Sequence, residues 1–190
     1  MVESIEAGKA VLIIAATAAF AFPSQAAAQA AGPTGLRGDL YADVVQLEAK
    51  YVGLAEAMPA SSWDWSPMEG VRSVGDVFCH VAGANYMIPR FFGVAAPADA
   101  VDVEQLCAAA DPEARKSGTV EALRASFAFA REAIETATDS SLEDPTKLFG
   151  RDATNRSAML LFVTHMHEHL GQSVAYARSN GIVPPWSAGG

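Results

Sequence analysis

The chain has 190 residues, 51% of them hydrophobic and 18% charged, which supplies apolar material for one core and hardly for two. Thirteen Lys and Arg stand against 22 Asp and Glu, a formal net charge of -9. No basic stripe is available to follow a phosphate backbone, so nucleic acid is excluded as a partner, and an anionic membrane surface would repel most of the chain.

Residues 1–30 read as a secretory signal peptide. Ala10 to Phe22 is almost wholly apolar, and Pro23, Ser24 and the small-residue run Ala26-Ala27-Ala28-Gln29-Ala30 follow it. The apolar run is shorter than the roughly 20 residues of a membrane-spanning helix. Glu3 and Glu6 beside Lys9 depart from the positive start of most such leaders, and a retained N-terminal anchor is the alternative. Cleavage would leave residues 31–190 as one exported domain, periplasmic or secreted, that meets a membrane only if the leader is kept.

From Gly38 the residues Leu40, Val44, Leu47, Tyr51, Leu54 and Met58 recur at steps of three and four, which predicts a helix that Pro59 ends. A second helix is predicted to open at Ser73, with Asp76 completing a capping box, and to carry Val74, Val77, Val81, Ala84, Ile88 and Phe91 on one face. Gly93, Pro97 and Pro112 mark a long loop. A third stripe runs through Val120, Leu123, Phe127, Ala130, Ile134 and Ala137. Pro145 and Gly150 place a second long connection between Asp139 and Asp152, and no segment carries a strand signal. Asp152 or Thr154 can cap the last helix, whose stripe is Met159, Val163, Met166, Leu170, Val174 and Ala177 and whose stop is Asn180-Gly181. Four such stripes cannot be buried singly, so the fold expected is all-α, a four-helix bundle with two long connections.

Cys79 and Cys107, 28 residues apart, match neither a zinc-ribbon nor a thioredoxin spacing. An oxidising compartment would permit a bridge. With Cys79 in a helix and Cys107 in a loop, the expectation is two free, buried thiols acting as small hydrophobes.

Three of the four histidines fall in His165-Met166-His167-Glu168-His169. At about 100° per residue, His165 and His169 share one side of a helix and His167 points away, so the outer pair can grip one metal ion. His80 flanks the apolar arc of the second helix and is the natural third ligand. Three neutral imidazoles leave a coordination position open, the mark of a catalytic rather than a structural ion. The competing readings are a chance i, i+4 pair and a packed core histidine at position 80. His167 reads as solvated or as a neighbour of the site.

The segments Arg72-Ser73-Val74-Gly75-Asp76-Val77-Phe78-Cys79-His80-Val81-Ala82-Gly83-Ala84-Asn85-Tyr86, His165-Met166-His167-Glu168-His169-Leu170-Gly171-Gln172 and Arg178-Ser179-Asn180-Gly181-Ile182-Val183-Pro184-Pro185 resemble, in this order, the DinB family of the wider DinB/YfiT-like group. The resemblance covers about residues 38 to 186. It implies an up-down-down-up bundle and a three-histidine site for one divalent metal ion (Zn, Ni or Fe), with His80, His165 and His169 as ligands. Many relatives carry a histidine directly before the last ligand, where this chain has Glu168. Gln172 and Asp76 are candidates to orient the imidazoles. Characterised members of the group include metal-dependent transferases and isomerases that use small thiols. The expectation is therefore a metal-dependent hydrolase or thiol transferase, with Glu168 or Asp76 as candidates for proton handling. The alternative is a non-catalytic metal- or small-ligand-binding module, its mouth framed by Trp63, Trp65, Tyr86 and Trp186. A structural bundle with incidental histidines is the third reading. The substrate is unspecified, and a homodimer through one helix pair is compatible with the stripes.

Overall fold

The computed structural model describes residues 32–188, so the leader expected over 1–30 lies outside the described residues. Helix α1 (Gly35–Ala57) buries Leu40, Val44, Leu47, Tyr51 and Leu54, the stripe expected of it. It ends where Met58 turns extended ahead of Pro59. Helix α2 (Val74–Met87) opens on the expected capping box: Ser73 Oγ accepts from the Asp76 amide and Asp76 Oδ2 accepts from the Ser73 amide, both at 3.2 Å.

The stretch read as loop before the third stripe holds more order than expected. A short helix, α3 (Val103–Cys107), is capped by Asp102, and α4 (Pro112–Thr136) begins two turns before Val120. Asp111 Oδ2 accepts from the Ala114 amide at 2.8 Å, and Pro112 takes the first helical position, where no amide is needed. Those first turns are largely solvated and carry no apolar period, so only the Asp-Pro cap announces them.

The second connection contains strands β1 (Pro145–Leu148) and β2 (Arg151–Thr154), paired antiparallel with Pro145 opposite Thr154 and Leu148 opposite Arg151. This corrects the expectation of no strand. Phe149 (φ 50°) and Gly150 (φ 83°) both take positive φ, as a two-residue hairpin turn of the primed type requires. Thr154, rather than Asp152, caps helix α5 (Asn155–Ser179), and Gly181 at φ 73° lets the chain leave it.

Helices α1 and α2 each pack on both α4 and α5, which gives the order α1, α4, α2, α5 around the bundle. The pairings set the directions. Arg37 reaches the Ala137 carbonyl at 2.6 Å and Arg124 reaches Glu56 at 2.6 Å, so α4 runs against α1. Cys79 lies beside Thr119 and Asn85 bonds Ser126, so α2 runs with α4. His80 meets His165 while Phe92, in the 3-10 turn (Ile88–Phe92) that continues from the end of α2, meets Phe162, so α5 runs against α2. In chain order the four long helices run up, down, down, up. Tyr51, Phe78, Phe127 and Phe162 fill the centre. Among the described residues no helix is long and apolar enough to cross a membrane.

Cys79 and Cys107 are joined, which corrects the expectation of free thiols. Cys107 does not stand in an open loop. It ends α3, which folds back onto α2 and α4 and brings the two Cα atoms to 6.2 Å, within bridging range. The fit is close: a Cβ at Gly118 of α4 would stand 2.5 Å from the Leu106 carbonyl oxygen, so only glycine admits α3 there.

Candidate metal centre

His165 and His169 lie one turn apart on α5 and face His80 on α2. The ring centroids are 5.1 Å apart for His80 and His165, 4.7 Å for His80 and His169, and 4.5 Å for His165 and His169. One ring nitrogen from each lies within 4.8 Å of the other two. His80 Nε2 and His165 Nε2 are 3.1 Å apart, close to the roughly 3.3 Å edge of a tetrahedron built on metal–nitrogen bonds of about 2.05 Å. All three site residues expected from the sequence are thus brought together.

The backbone under the pair is fixed from two sides. The Tyr51 hydroxyl donates to the Met166 carbonyl at 2.5 Å, and Ser173 Oγ donates to the His169 carbonyl at 2.8 Å. Burial holds the Tyr51 phenol far above its ordinary range, so it stays a donor. His169 itself is buried, and its Nδ1–H donates to Gln172 Oε1 at 2.8 Å. Gln172 in turn donates through Nε2 to the Tyr176 hydroxyl at 2.9 Å, and Tyr176 packs edge-on against Trp65. That chain leaves His169 Nε2 bare as a lone pair for an ion. His165 Nδ1 is buried without a partner.

Burial opposes protonation at two of the three imidazoles, and ligation requires the unprotonated form. Burial lowers the His165 pKa to about 4, and His169, His80 and Arg72 add to the effect. Burial also lowers the pKa of His80, with Arg72 and His169 assisting and Glu168 opposing. Three imidazole nitrogens, converging from two helices with no carboxylate among them, suit a borderline ion such as Zn, Ni or Fe rather than Mg or Ca.

The remaining expectations divide. His167 points away and meets Asp43 at 2.7 Å, outside the triad. Glu168 is exposed yet within electrostatic reach of His80, while Asp76 is committed to the α2 cap. Gln172 takes the orienting role expected of it. The four aromatics do not frame one mouth: Trp63 is fully buried against Phe78, Tyr86 stacks on Phe129, Trp65 backs Tyr176, and Trp186 is exposed. Sequence reading missed Arg72 and Tyr176 as neighbours of the site. Arg72 precedes the α2 cap, the one available signal. Tyr176 stands one turn beyond Gln172 on the same helix side.

Three histidines presented by two facing helices, close enough together that they could hold one metal ion, make this a four-helix bundle with a candidate metal centre. A family model described as the DinB superfamily matches residues 44–173, and the chain belongs to that superfamily. Three solved structures share the fold. A DinB-like protein from Bacillus cereus ATCC 10987 superposes with a TM-score of 0.65 at 17% identity, over 78% of this chain and 95% of its own. YfiT from Bacillus subtilis, described as a probable metal-dependent hydrolase with an unusual four-helix bundle topology, gives 0.59 at 20%, over 77% and 89%. The DinB-like protein YjoA from Bacillus subtilis gives 0.58 at 16%, over 76% and 93%. No curated protein matches the sequence.

Proposed function

We propose that this protein is an exported metal-dependent hydrolase in which His80, His165 and His169 hold one divalent ion. The observation that carries the reading is the convergence of three imidazole ring nitrogens within 4.8 Å, with no fourth protein ligand in the cluster among the described residues. An ion held there would supply Lewis-acid polarisation and ionise water near neutral pH. The chain's own part is to oppose protonation of His80 and His165 by burial, to fix His169 through Gln172, and to keep the exposed Glu168 carboxylate within electrostatic reach of His80 as a candidate proton acceptor. The similarity to YfiT, a probable metal-dependent hydrolase, supports the same assignment.

Two observations support export: the leader-like residues 1–30 and the Cys79–Cys107 bridge, since disulfides persist in oxidising compartments. Such a compartment holds few reduced thiols, so hydrolysis is preferred to thiol transfer.

The test is elemental analysis of the purified protein beside His80→Ala, His165→Ala and His169→Ala. We expect about one metal ion per chain, lost in each variant. A folded wild-type protein that binds no zinc, nickel or iron would overturn the reading and leave a non-catalytic bundle.

A further inference from the structure

Beside His80, between α2 and α3, lies a cleft of about 510 Å³. Cys79, His80 and Gly83 form its α2 wall, and Val103, Cys107 and Ala108 form the wall opposite. The bridge between Cys79 and Cys107 holds the two walls together. His80 therefore belongs both to the cleft and to the metal triad. The volume falls within the usual range for a small-molecule site.

Gly83 is informative. Glycine inside a helix costs about 1 kcal/mol against alanine, and close packing is the usual reason to keep one. No such packing exists here: a Cβ at Gly83 would meet nothing within 4 Å, so the missing side chain is open space in the cleft wall. The charged residues of the lining are Asp76 and Glu104, both exposed at the rim, and no lining residue is a cation. Apolar walls under an acidic rim, on a chain of net charge -9, disfavour an anion and accept an uncharged apolar body.

We propose that this cleft binds the substrate of the metal centre, and that the substrate is a small, uncharged molecule with an apolar body that lies along α2 and presents its reacting group at His80. The proposal rests on the metal-centre reading for its chemistry and on the cleft alone for binding. The test uses the full chain, with and without zinc, and the neutral fluorophore N-phenyl-1-naphthylamine as probe. We expect one bound probe per chain, with its sulfonated relative 8-anilinonaphthalene-1-sulfonate weaker by at least about tenfold because of the rim carboxylates. Gly83→Leu puts an isobutyl group into the open space and favours the helix, so it should fold, keep its metal ion and lose probe affinity by at least about tenfold. Ala108→Leu, on the opposite wall, should weaken the probe in the same direction. No probe binding, equal affinity for the sulfonate, or unchanged affinity in both variants would overturn the proposal. Probe binding that behaves as expected on a protein that takes up no metal would leave the cleft standing and remove the hydrolase reading.

Discussion

Gln172 decides what His169 can do. Its Oε1 accepts from His169 Nδ1–H, and its Nε2 donates to the Tyr176 hydroxyl. With Oε1 toward the ring, Nδ1 carries the proton and Nε2 is left free for an ion. Gln172→Leu keeps the bulk and removes both bonds, and we expect metal affinity to fall roughly 10- to 100-fold in competition with a chromogenic chelator. Tyr176→Phe removes only the outer member and should cost less. Equal affinity in wild type and Gln172→Leu would show that packing alone orients His169. The triad was legible because 3.6 residues per turn puts positions i and i+4 together, and Gln172 because i+3 shares that side. Arg72 was not, since a residue ahead of a helix cap has no fixed direction until the loop before it folds.

Among the elements, α3 depends most on others. Five residues are too few to form a helix alone. The disulfide to α2 and the close seat against α4 at Gly118 hold it in place. The two terms at Gly118 oppose each other: alanine would favour α4 by about 1 kcal/mol, but its Cβ would stand 2.5 Å from the Leu106 carbonyl oxygen. Overlap with backbone costs more than the propensity gain, typically about 1–3 kcal/mol. Gly118→Ala should therefore be destabilising in thermal denaturation, with faster hydrogen exchange over residues 103–107. A rise in Tm would mean that α3 is not seated there. The same dependence explains what periodicity revealed. Stripes of six apolar residues announced the interiors of α1, α2, α4 and α5. Helix α3 and the β1–β2 hairpin each span little more than one period, and long-range contacts and the turn at Phe149-Gly150 hold them in shape.

For the molecule as a whole, the bridge and the histidines make separate contributions to stability. Closing 28 residues of chain between Cys79 and Cys107 restricts the unfolded state by about 3–4 kcal/mol in the chain-entropy account. Cys79→Ser with Cys107→Ser should thus lower Tm by roughly 10 °C for a domain of this size. The histidines act through pH. His165 has a pKa of about 4 when folded against 6.5 as a free side chain, and that of His80 is lowered in the same direction. Between those two values the unfolded chain binds more protons than the folded one, so folding stability falls as pH is lowered through that window. Above pH 6.5 the loss is absent, because the imidazoles are neutral in both states. Carboxylates bend the curve in the same region, so the informative quantity is a difference. Urea denaturation of the chelated protein at intervals from pH 7 down to pH 4 should show His165→Gln losing less stability than wild type, because glutamine takes up no proton in either state. Parallel curves would mean that His165 is as easily protonated in the folded chain as outside it, and that burial does not hold it neutral.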